Sequence, residues 1–148
     1  MHTFVGDLWS LHARGYTLII PTEGLRAPSS QALLNTKHAR IAALRFPHFG
    51  AELGNLIAQS GHHSYYFPDY QLITLPISPD DAGRTPIEDL TRVIKQVVRF
   101  VDVHRLPLIA CPYWESDLTA LTWDEIMRVV DKHWDDRFTL VSEPPRTP

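Results

Sequence analysis

The 148 residues include a single cysteine, Cys111. No intrachain disulfide can form, which fits a reducing interior. No apolar run approaches the roughly 20 residues that span a bilayer. The opening Met1-His-Thr-Phe-Val-Gly-Asp7 lacks the basic region and apolar segment of a secretory signal. These absences predict a cytoplasmic address and no membrane partner. A cationic excess is missing too: 14 Lys and Arg stand against 17 Asp and Glu, a formal net charge of −3. Phosphate backbones are bound through a basic field, so no nucleic-acid partner is expected. The eight histidines are scattered, apart from His62-His63. None shows the i, i+4 pairing with a carboxylate used by a helical zinc site, so neither a metal nor a cofactor is expected. Ser29-Ser30 lacks the Gly-x-Ser-x-Gly elbow of a hydrolase nucleophile. With no repeat and no linker, a chain of this length makes one domain with a sizeable core.

What is present is an alternation of strands and helices. Thr3 to Val5 reads as a short strand. Leu8 to Arg14 reads as a helix capped by Asp7 and ended by Gly15. Tyr16 to Ile20 is a buried strand stopped by Pro21. A loop from Thr22 to Ser30 leads into helical periodicity from Gln31 to Arg45, with Leu33, Leu34, Ile41 and Leu44 apolar. Pro47 interrupts it, and a second helix covers Phe49 to Gln59 before Gly61. Ser64 to Phe67 and Tyr70 to Leu75 flank a turn at Pro68-Asp69. In Tyr65-Tyr66-Phe67 the rings should alternate between the two sheet faces. Thr85-Pro-Ile-Glu88 and Thr122-Trp-Asp-Glu125 are two capping boxes. Their helices run to about His104 and to Lys132 or His133. Between them lies a strand from Leu106 to Ala110, and Phe138 to Val141 is the last. The alternation predicts a three-layer α/β/α domain over residues 1–142, with a mixed sheet between helices. Residues 143–148 form a proline-rich tail.

The most informative stretch is the loop between Ala110 and Trp123. Loops that leave the C-terminal ends of strands carry ligand sites in α/β proteins. This one holds Tyr113, Trp114, Glu115, Ser116 and Asp117 in a row. It is either a site or a surface loop with Trp114 folded onto the core. Glu23, Glu115 and Asp117 form an acid–base pair if two loops face each other; otherwise they are solvated charges. Cys111, at a strand end with no histidine beside it, reads as a small buried apolar residue rather than a nucleophile.

The order of these motifs resembles the macro domain, in its compact bacterial and phage-type branch. Gly6-Asp7 follows the first strand, Ile20-Pro21-Thr22 ends the second, and Arg45-Phe46-Pro47 closes a helix. Ala110 and Pro112 precede the last loop, and Leu121 and Trp123 end it. The resemblance spans nearly the whole chain and implies a cleft for ADP-ribose or a related nucleotide. It places Asp7, with Leu8 beside it, at the adenine amino group; a plain helix cap is the other role for Asp7. Thr22, Glu23 and Lys37 fall on the first site loop, and Tyr113 to Asp117 on the second.

The departures from that pattern matter. Glu23 stands where the family has an asparagine that reaches the distal ribose. Glu115 and Asp117 stand where glycines are expected. Glycine there permits close backbone approach, and two carboxylates repel a diphosphate. Lys37 is expected to offset part of that charge. The expected function is a binding module for ADP-ribose or a related ligand, with a rewritten cleft. One alternative is an ADP-ribose-processing hydrolase or phosphatase using Glu23 or Glu115 and Asp117. The other is a protein-interaction module without a ligand.

Overall fold

The computed structural model describes residues 1–78, 83–114 and 119–144. In chain order the elements are β1 (His2–Val5), α1 (Leu8–Ala13), β2 (Thr17–Thr22), α2 (Lys37–Arg45) and α3 (Phe49–Ser60). Then come β3 (Tyr66–Phe67), β4 (Leu72–Pro76), α4 (Pro86–Val103), β5 (Ile109–Pro112), α5 (Trp123–His133) and β6 (Phe138–Ser142). The strands form one sheet in the order β1-β6-β5-β2-β4-β3. Neighbours run parallel except β3, which is antiparallel to β4. Five C-terminal strand ends therefore share one edge of the sheet. Those of β5, β2 and β4 lie side by side, with Pro112, Pro21 and Pro76 in their last two residues.

Side chains alternate across the sheet with the period of a strand. Ile19 joins the apolar cluster beneath α4 and α5, whereas Leu18 and Ile20 join the cluster beneath α1, α2 and α3. Every residue of β2 is buried, the mark of a parallel strand covered on both faces. The alternation in Tyr65-Tyr66-Phe67 holds: Tyr66 packs on the α4–α5 side, Tyr65 and Phe67 on the other. Both capping boxes form. Thr85 and Thr122 accept from the backbones of Glu88 and Glu125, whose carboxylates reach back to the caps. No helix among the described residues is long and apolar enough to cross a membrane.

Several boundaries differ from the sequence expectation, each for a local reason. Pro21 does not stop β2 but lies inside it. Its carbonyl accepts from Thr36 Oγ1 at 2.6 Å, so its hydrogen-bonding side turns away from β4. The β5 ladder on that side has already ended at the Leu18–Ala110 pair. The missing N–H thus deprives no strand of a donor. Helix α2 begins six residues later than the apolar periodicity suggests. Residues 25–33 have other partners: Ala27 N donates to Gln31 O, Leu33 N to Leu25 O and Ala32 N to Gly50 O, at 2.7–3.0 Å. The helix then buries His38, Ala39 and Ala42; Leu44, expected in the core, is 83% exposed. Strand β5 starts at Ile109 because Leu106 N closes the end of α4 on Val101 O and Arg105 adopts φ 53°.

Two glycines permit close approaches of the chain. A Cβ on Gly54, inside α3, would lie 2.3 Å from Ser30 O. At Gly24, φ is +77° and a Cβ would lie 2.5 Å from Pro76 Cβ. Gly24 lets the chain leaving β2 pass against the end of β4.

Candidate functional site

A cavity of about 260 Å³ opens where the strand ends meet the starts of α1 and α2. Leu8, Lys37, His38, Trp114, Ser142 and Glu143 are among the residues that line it. Leu8 arrives there because Asp7 ends β1's extension and caps α1, its Oδ1 accepting from Trp9 N at 3.1 Å. Lys37 and His38 open α2. Trp114 follows β5, and Glu143 follows β6.

Trp114 plays both roles that its sequence position suggests. It is 7% exposed and belongs to the core beneath α4 and α5, yet one side forms cavity wall. Trp123 packs edge-on against it at 5.3 Å between ring centres and stacks obliquely with the exposed Tyr113 at 4.8 Å. The indole Nε1 of Trp114 is buried with no hydrogen-bond partner among the described residues.

The polar side of the cavity is arranged through His38. Trp9 Nε1 lies 3.2 Å from His38 Nδ1. An indole can only donate, so Nδ1 accepts and the neutral ring carries its proton on Nε2. That Nε2–H faces the Glu143 carboxylate at 3.6 Å. Burial lowers the His38 pKa, and Glu143 partly counters it. The Lys37 ammonium is ion-paired with the same carboxylate.

The first site loop departs from expectation. Thr22 and Glu23 are 1% and 6% exposed and do not line the cavity. Glu23 is not a solvated loop charge: its carboxylate accepts from Asn35 N at 3.2 and 3.4 Å. It thereby ties the end of β2 to the chain entering α2. Lys37, expected to offset loop acids, is engaged by Glu143. Glu115, Ser116 and Asp117 lie outside the described residues. Cys111 is fully enclosed, and burial pushes its thiol pKa well up, which suits packing and not attack. Among the described residues no group of three or more His, Cys, Asp or Glu is placed to hold a metal ion.

His38 and Glu143 were not found by sequence reasoning. Glu143 was legible in principle. It directly follows the last strand, whose C-terminal end must share the edge of β5 in a parallel pair. His38 gave no signal, because α2 appeared to start at Gln31.

A parallel-rich sheet between helical layers, with its cleft at the strand ends, defines the class of structure. The particular architecture is that of the macro domain. The macrodomain of Thermus aquaticus DarG matches with a TM-score of 0.66 at 16% identity, over 97% of each chain. The IBV X-domain matches with a TM-score of 0.66 at 15% identity, over 95% of this chain and 88% of that one. Thermosipho africanus DarTG, solved in complex with ADP-ribose, matches with a TM-score of 0.59 at 12% identity, over 88% of this chain and 39% of that one. No protein-family model and no curated protein matches the sequence.

Proposed function

We propose that this chain is a binding module for ADP-ribose or a related nucleotide-type ligand. The observation that carries the proposal is the cavity itself. In a macro-domain fold it is lined by Leu8, the residue that follows the Gly6-Asp7 turn, and opens at the ends of β5 and β6. A structure of the same fold, Thermosipho africanus DarTG, was solved in complex with ADP-ribose. At about 260 Å³ the cavity is just below the usual ligand-pocket range of roughly 300–1,000 Å³. It holds one end of such a ligand, with the remainder passing toward the loops after β2 and β5.

Asp7 is the residue we assign to the adenine amino group. One of its oxygens already caps α1. A carboxylate offers about four acceptor sites, so capping and ligand contact coexist. The apolar wall of Leu8, Val141 and Trp114 suits a flat ring. The site acts in the cytoplasm, and Glu115, Ser116 and Asp117 complete its second loop in this reading.

A hydrolase based on Glu23 is disfavoured by its burial and its commitment to Asn35 N. Calorimetric titration with ADP-ribose, NAD and mononucleotides, with product analysis of the same samples, is the test. Saturable heat with unchanged ADP-ribose is the expected result. Product formation would favour the enzyme, and no heat with any nucleotide would leave the protein-interaction module.

A further inference from the structure

We propose that Glu143 is a built-in competitor for the anionic group of the cleft's ligand, and so sets which ligands enter. The proposal rests on the nucleotide-binding reading above, but it concerns a different property of the same cavity. Among the described residues, three sources of positive potential converge on the Glu143 carboxylate. The Lys37 ammonium is ion-paired with it. The Nε2–H of His38 faces it at 3.6 Å, held in that orientation by the Trp9 indole behind the ring. The amino end of α2, where both residues sit, adds the positive end of a helix dipole. That helix end has no side-chain cap hydrogen bond; the Thr36 hydroxyl donates to Pro21 O instead.

A carboxylate in this position does what a ligand's phosphate or carboxylate would do there. Lys37, His38 and Glu143 all line the cavity, so an incoming anion competes with Glu143 for the Lys37 ammonium and the His38 N–H. The ion pair is half exposed on both sides. Exposed pairs are weak, so the contact can open, but an anionic ligand must open it. A neutral nucleoside can enter along the Leu8 and Trp114 wall without doing so.

The test is calorimetric titration of wild type and Glu143→Gln with ADP-ribose, adenosine and inorganic pyrophosphate. Glutamine keeps the size of the side chain and removes the competing charge. ADP-ribose should bind the variant about two- to fivefold more tightly, the span that an exposed ion pair supports. Adenosine should bind both proteins alike. Unchanged or weaker ADP-ribose binding in the variant would overturn the proposal, making Glu143 a bystander or a direct ligand contact. If neither protein binds ADP-ribose, the nucleotide reading fails, and pyrophosphate decides the competitor role alone. Tighter pyrophosphate binding by the variant sustains that role; equal binding or silence ends it.

Discussion

At the scale of single residues, the environment reverses what composition alone suggests. Glu23 is a charge on a predicted loop, yet it is 6% exposed and holds Asn35 N. No local pattern distinguishes a loop carboxylate facing water from one tying down a backbone N–H. That difference is tertiary, so sequence reasoning missed it. Gly54 makes the same point with a sign that can be measured. Replacing glycine by alanine inside a helix ordinarily stabilises by up to about 1 kcal/mol. Here the added Cβ would meet Ser30 O at 2.3 Å and Ala32 N at 3.0 Å. Both are backbone atoms of a loop with its own hydrogen bonds. Gly54→Ala should therefore destabilise, by about 1–3 kcal/mol if it behaves as an overpacked site. A urea midpoint equal to or above wild type would show that this loop yields freely.

At the scale of elements, legibility follows how local the determining chemistry is. The two capping boxes are set within four residues each, and both α4 and α5 start where Thr85 and Thr122 place them. That three strand ends meet near the site was legible for a similar reason. Pro21, Pro76 and Pro112 fall in the last two residues of β2, β4 and β5 and so mark ends that a parallel sheet must align. Helix α2 was not legible, because its apolar periodicity continues into a segment whose backbone is bonded to Leu25, Gln31 and Gly50. Turn bonds within that segment, with one long-range bond to Gly50 O, overrode the helical pattern, and with it went His38. The caps themselves are testable. Thr85 Oγ1 accepts from Glu88 N at 3.2 Å, and Glu88 Oε2 accepts from Thr85 N at 3.3 Å. Thr85→Ala removes the first and leaves the second without its counterpart. The expected cost is about 0.5–2 kcal/mol, or a drop of a few degrees in Tm. No change in thermal midpoint would mean that packing of α4 alone fixes its start.

At the scale of the molecule, the buried His38 and the half-buried His63 link stability to pH. The His38 pKa is lowered from 6.5, chiefly by burial, with Glu143 opposing. That of His63 is lowered too, by burial and then by the Arg92 charge. The unfolded chain keeps the ordinary value and so binds more protons as pH falls toward 6.5. Stability then rises with pH. This contribution is fully present above 6.5 and is lost as pH falls through the folded-state values. Urea midpoints should fall between about pH 7.5 and about pH 5.5. The fall should be shallower in a His38→Gln, His63→Gln variant. An unaltered slope in that variant would assign the acid sensitivity elsewhere.

The whole cleft also carries a charge balance that its fold does not dictate. Its positive groups, the Lys37 ammonium and the His38 Nε2–H dipole, already face Glu143. The sequence places Glu115 and Asp117 on the loop after β5, where the macro-domain pattern has glycine. If these carboxylates act as a barrier, each added acid weakens a diphosphate's approach. Two unit charges about 4 Å apart interact by about 1 kcal/mol in bulk water and about 4 kcal/mol at a surface-like effective dielectric. A Glu115→Gly, Asp117→Gly variant removes both charges and both side chains. ADP-ribose should then bind more tightly, and the part of the gain due to charge should shrink as salt rises, because screening acts on charge and not on shape. A gain that survives high salt would assign the obstruction to side-chain bulk. Weaker binding by the variant, at any salt, would make the two carboxylates ligand contacts or catalytic groups. The hydrolase reading would then displace the binding module, with Glu115 and Asp117 in place of Glu23.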